Sequence, residues 1–211
     1  EMLKKKDSSD RKIAEQISKL KAAKAALTSI SKLPDGIYKV SIGFIKAVDR
    51  TSLSMADNAV NHTAKLEVKN GKYFITLDFK GITILNRFGY LSKLSYFDNG
   101  YKYLKGDKIE GNLKPVQVIT YQKNADGSFV VDKFNSESNP YPDLVKIPIV
   151  EQAINDPSGF VPLQVYVPMM DEYSKGNGTK NVLMKVNWSG AEKTTEDDEA
   201  FTPEKPVTQS P

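Results

Sequence analysis

Cysteine is absent from the 211-residue chain, and histidine occurs once, at His62. Without thiols there is no disulfide framework, zinc ribbon, iron–sulfur cluster, thiolate haem ligation or cysteine nucleophile. A single imidazole undercuts Ser–His–Asp triads, multi-His metal sites and most acid–base schemes. Enzyme signatures are missing too: there is no GxSxG elbow, P-loop, GxGxxG or HExxH. No turnover chemistry is therefore expected. No apolar run approaches the roughly 20 residues of a spanning helix, and no apolar leader core follows the first lysines. The chain reads as soluble, with ends that look cut from something longer. What remains for soft-ligand chemistry is five Met.

The excess of positive charge, +4 overall, is concentrated near the start. Residues 1–33 hold nine Lys or Arg against four acids and no aromatic residue, so they lack the interleaved stacking platforms of a nucleic-acid surface. No nucleic-acid partner is expected. Ile13, Ile17, Leu20, Ala23, Leu27 and Ile30 recur at spacings of three and four, which predicts one amphipathic α-helix over residues 8–31. Its apolar stripe is expected to pack on its own or a neighbouring domain. Pro34-Asp35-Gly36 ends it.

From Ile37 the period changes to two, with Tyr38, Val40, Ile42 and Phe44 on one face of a predicted strand. Strands over 66–68 and 73–79 flank Asn70-Gly71, a type I′ hairpin signal. Further pairs are expected at 116–121 with 129–134, and at 161–167 with 182–188. Residues 51–58 suit a single helical turn. After Gly190 the chain turns acidic and Pro-containing without periodicity, and 190–211 reads as linker. Three units follow: residues 1–33 as basic helix, 34–189 as an antiparallel β-sandwich, and 190–211 as acidic linker. The fold class is mainly β.

Methionine placement is the remaining signal. Met55 stands in the polar helical turn among Ser52, Ser54, Asp57 and Asn58, so it is expected to be exposed or to line a pocket. Met169 and Met170 end one strand of the last hairpin and Met184 lies in the next, as core filler or as a cluster. His62, at a strand entry, is expected to be a surface or turn residue.

The stretch Ser52-Leu53-Ser54-Met55-Ala56-Asp57-Asn58 through Phe74-Ile75, together with Gly89-Tyr90-Leu91 and Leu163-Gln164-Val165-Tyr166-Val167-Pro168, resembles NEAT domains. These are haem-binding modules of Gram-positive cell-wall and secreted iron-uptake proteins. The resemblance implies an immunoglobulin-like sandwich with haem held between the short helical turn and the last hairpin. It also implies a cell-surface fragment of a larger protein that captures, stores and relays haem, with other NEAT domains or relay proteins as partners. A typical member ligates iron with a Tyr-x-x-x-Tyr motif on the second hairpin strand. Here Asn181 to Trp188 contain no tyrosine.

Thioether sulfur is a competent axial haem ligand, and the family alignment sets Met55 beside the propionate-binding serine, here Ser54. If Leu163, Val165 and Val167 face the pocket, alternation places Met169 there and Met170 opposite. The implied ligands are thus Met55 and Met169, with Met184 and Met170 as alternatives, as in a streptococcal haem-receptor domain of the family. Ala56, Ala59, Leu163, Val165, Val167, Val182 and Met184 would line the slot. A competing reading is an adhesion module that grips haemoglobin or extracellular matrix protein without ligating haem.

Overall fold

The computed structural model describes residues 13, 15–20, 33–84 and 86–202. Chain order is β1 (Gly36–Lys46), β2 (Thr63–Lys69), β3 (Lys72–Asp78), β4 (Ile82–Ile84), β5 (Arg87–Gly89), β6 (Lys93–Phe97) and β7 (Lys102–Tyr103). Then come β8 (Ile109–Glu110), β9 (Leu113–Pro115), β10 (Gln117–Val118), β11 (Leu144–Ile149), β12 (Phe160–Tyr166), β13 (Thr179–Val186) and β14 (Glu192–Thr194). Two 3₁₀ turns matter below: η1 (Met55–Ala59) and η2 (Pro168–Glu172).

The eleven-residue β1 belongs to both layers of the fold. Its first half pairs with β2, from Gly36 opposite Val68 to Ser41 opposite Thr63. Its second half pairs with β13, from Ile42 opposite Val186 to Lys46 opposite Val182. One layer therefore runs β10-β11-β3-β2-β1 and the other β1-β13-β12-β6-β9. A strand that changes sheets in this way forms a corner of a sandwich. All these pairings are antiparallel, as the mainly β reading requires.

Period two explains which side chains meet between the layers. Tyr38, Val40, Ile42 and Phe44 of β1 join Leu66, Ile75, Leu77, Ile147, Leu163 and Met184 in one buried core. Each fully buried Val, Leu or Ile in it contributes about 1.5–3 kcal/mol. The β2–β3 turn is as predicted: Asn70 and Gly71 have φ of 52° and 71°, the positive pair that a type I′ turn demands.

Several expectations are corrected. Residues 129–134 form no strand; the segment meets its neighbour through an isolated Lys123–Phe129 bridge and a Val130 N bond to the Gln122 carbonyl at 3.0 Å. A short α-helix, Glu151–Ile154, falls between strands where none was expected. Residues 190–202 are not free linker: β14 pairs with Ile37, Tyr38 and Lys39 of β1, and Glu196 bonds Lys65 at 2.8 Å. The tail docks by backbone hydrogen bonds and ion pairs, so it carries no apolar alternation to read. Of the N-terminal helix, Ile13 and Glu15–Leu20 are described; Ile13, Ile17 and Leu20 are 51%, 46% and 70% exposed, so these three are not packed on the domain. The rest of that helix lies outside the described residues. Among the described residues no helix is long and apolar enough to cross a membrane.

Candidate functional site

η1 is stitched to the end of β1. Asp49 Oδ1 accepts the Thr51 and Ser52 amides, which holds its carboxyl down at about 2 and turns the chain back toward β1. Ser54 N donates to the Phe44 carbonyl at 2.8 Å, while Ser54 Oγ caps the turn by accepting from Ala56 N at 3.3 Å. The buried Asp57 carboxylate accepts the Phe44 amide at 2.6 Å and lies 3.0 Å from His62 Nε2. His62 is thus an exposed turn residue bound to a structural acid. Ala56 and Ala59 face the core, whereas Met55 is 50% exposed beside Leu53 at 65%.

The opposite wall is the β12–β13 hairpin. Leu163, Val165, Val167, Val182 and Met184 are all buried in the main core. Met184 sits with Phe44 and Val161 as its cross-strand neighbours and is fully enclosed. Strand alternation does not reach Met169. Pro168 has no amide hydrogen to extend the ladder and opens η2 instead. Both Met169, 1% exposed, and the partly buried Met170 then pack against the same core, so the expected division of the two onto opposite faces is wrong.

Asp171, within η2, organises the loop that follows by accepting from Gly178 N at 2.6 Å, Gly176 N at 3.1 Å and Tyr166 Oη at 3.1 Å. The Gly178 amide, then the Tyr166 hydroxyl and the Gly176 amide, hold this carboxyl below its ordinary 3.8. Tyr166 is pushed the other way, above 10.0, first by desolvation and then by Asp171. A phenol that donates to a carboxylate and resists ionisation is poorly set to bind iron as phenolate.

Between the walls lies the β4–β5 hairpin, which packs on η1 through β4 and on η2 through β5. Gly89 makes this possible: a Cβ there would lie 2.6 Å from Met169 Sδ. The Phe88 ring likewise covers Gly81, where a Cβ would meet it at 2.1 Å. Tyr90 is edge-on to Phe88 with centroids 5.2 Å apart, and stacks on Tyr141 at 5.0 Å. Phe88 and Tyr90, with Phe134 and Met169, border a cleft of about 950 Å³. Glu172 at its mouth pairs with both Arg87 and Lys133, which draw its carboxyl below 4.5. Tyr173 Oη donates to the Ile84 carbonyl at 3.3 Å, tying η2 to the hairpin again.

The structure therefore gathers the expected slot-lining residues into one core, and sets Met55 and Met169 on the two turns flanking a hairpin. The aromatic cleft was missed, although Phe88-Gly89-Tyr90 carried a signal: two rings either side of a residue with no side chain. Residues 31–164 match the NEAT family, described as an iron transport-associated domain. The chain belongs to the NEAT family. The sandwich described above is the NEAT fold. Two solved structures are similar: NEAT5 of IsdX2, a B. anthracis hemophore in complex with heme, and a mutant of that same domain, also in complex with heme. The first has 16% identity and a TM-score of 0.46, covering 73% of this chain and 97% of that one. The mutant has 17% identity and a TM-score of 0.47, covering 74% and 97%.

Proposed function

We propose that this NEAT domain binds haem between η1 and η2 for iron acquisition, with thioether sulfur as the iron ligand. What carries the reading is the donor set of an iron transport-associated domain. There is no Cys; the one His is bound to Asp57; Tyr166 is bound to Asp171; Tyr90, the tyrosine that lines the cleft, stacks on Tyr141 and is pushed above 10.0 by burial; and among the described residues no three His, Asp or Glu converge. Hard-ligand capture of bare iron has little support in such a set. Iron inside a porphyrin asks only for axial ligands, an apolar bed and partners for two carboxylates.

The residues fit that demand. Met169 borders the cleft with Phe88, Tyr90 and Phe134 as apolar walls. Met55 offers an accessible thioether on the other turn, next to Ser54. Thioether ligation favours ferrous iron and raises the potential. The finer proposal, two axial methionines as in a streptococcal haem-receptor domain, requires the β4–β5 hairpin to move, since it stands between the two turns. Ligand exchange without turnover suits a surface module that takes haem from one protein and passes it to another NEAT domain or relay protein in the cell wall.

The test is visible absorption after adding hemin, ferric and dithionite-reduced, to the chain and to Met55→Leu and Met169→Leu. Leucine keeps volume at a cost usually below about 1.5 kcal/mol, so loss of sulfur is read without loss of fold. Each substitution should shift the Soret band and weaken binding. Unchanged spectra and affinity in both would remove the methionine assignment, and no binding by the native chain would remove haem. The exposure of Val48, Leu53 and Met55 favours one second reading, a protein-contact surface at η1. It predicts haemoglobin or matrix binding that Leu53→Ser abolishes while hemin has no effect.

A further inference from the structure

The Glu172 ion pairs join three segments that are distant in the chain. Arg87 lies on β5, Glu172 on η2, and Lys133 on the loop after β10, and all three line the mouth of the cleft. A second contact repeats the closure between β5 and η2: Arg87 stands 5.2 Å from the Tyr173 ring centroid. The two cations are 52% and 65% exposed and share one carboxylate. Exposed ion pairs are weak, because water and salt screen them and two long side chains must be held in place. Such a clasp holds the hairpin over Met169 but yields readily to a competing carboxylate of matching spacing.

Resting on the haem reading above, we infer that Arg87 and Lys133 are carboxylate-binding residues of the cleft, and that the propionates of an incoming porphyrin replace Glu172 on them and so release the β4–β5 hairpin. Glu172 is the built-in stand-in for the ligand's own carboxylates. The exchange keeps both cations paired throughout, so opening leaves neither cation uncompensated. Ser54 Oγ accepts from Ala56 N as the cap of η1, which leaves its O–H able to donate to a carboxylate as well. The site is then selective for flat apolar ligands that carry two carboxylates on one edge.

The experiment compares binding of haem and of its dimethyl ester, whose propionates are masked, by the full chain and by Arg87→Gln/Lys133→Gln. An ester must break two ion pairs without replacing them, so the native chain should prefer haem by about tenfold. In the double variant the two affinities should converge. Glu172→Gln, which removes the competitor, should raise haem affinity severalfold. Without any ligand it should also speed amide exchange across 82–89, a readout that propionate binding does not touch. A double variant that keeps the native preference for haem overturns the inference while leaving haem binding intact. Unchanged exchange in Glu172→Gln overturns the clasp, and failure of the native chain to bind either porphyrin overturns both the inference and the reading beneath it.

Discussion

The two turns that flank the β4–β5 hairpin are held by opposite means. η1 is fixed from inside, by a buried aspartate bonded to the backbone of β1, and it leaves its methionine half exposed. η2 is clasped to the hairpin from outside, by exposed ion pairs through Glu172, and it buries Pro168 and its methionine, the latter under Gly89. On the proposed haem reading, rigid anchoring of an open thioether opposite a weakly clasped, covered one would separate two tasks: one wall would receive, and the other change. Strong internal bonds survive ligand exchange, and weak surface bonds permit it.

The same substitution on both walls gives the largest contrast. Met169→Ala opens a cavity in the core and should cost about 2–5 kcal/mol, because the surrounding sandwich collapses only in part. Met55→Ala removes a side chain that packs on little and should stay within about 0.5 kcal/mol. Urea titrations of the two variants check this, and equal midpoints would erase the distinction between the walls. Next in size are the anchors. Asp57→Ala leaves the buried Phe44 amide without an acceptor and should cost about 1–3 kcal/mol. Glu172→Gln, on the exposed clasp, should move the midpoint less than Met169→Ala or Asp57→Ala does, because water and salt screen its ion pairs.

How much of this was legible depended on whether an element shows its own period. β1, the β2–β3 hairpin with Asn70-Gly71, β12 and β13 are long enough to alternate visibly, and η1 was marked by the short polar stretch over 51–58. β4, β5 and β7 to β9 have only two or three residues each, too few for period two to register, while β10 fell within the strand expected over 116–121 but pairs with β11 rather than with 129–134. β14 was hidden for a different reason: Glu192, Lys193 and Thr194 dock by backbone pairing with β1, and Lys39 holds Glu192 and Asp198 at 3.5 and 3.7 Å, so polarity misread as linker was itself the adhesive. At Met169 the alternation was carried one proline too far. Pro168 was the signal that the strand stops, and Met169 reaches the core by the turn of η2. The thioethers were legible from residue type, but their separation by a hairpin was not. Nor was the clasp, since Arg87, Lys133 and Glu172 share no local pattern and meet only after the chain has folded.

The smallest expected effect tests the clasp by acid. Glu172 is held below its ordinary 4.5, chiefly by Lys133, and Asp171 below 3.8, chiefly by the Gly178 amide. A carboxyl depressed in the folded state contributes stability that is fully present above its unfolded value and is lost as pH falls through the folded one. The η2 wall should therefore be tightest above about pH 4.5 and loosen progressively below it. Because the bonds are exposed, raising salt from 0.1 to 1 M, which shortens the screening length from about 10 to about 3 Å, should loosen residues 82–89 at neutral pH in the same direction. The Asp57 anchor, buried and bonded to backbone, should not respond to that change. Amide exchange resolved along the chain measures both walls in one sample: faster exchange at 82–89 with unchanged protection at Phe44 is the expected outcome. Equal loosening of both walls would mean that the clasp and the anchor are not independent.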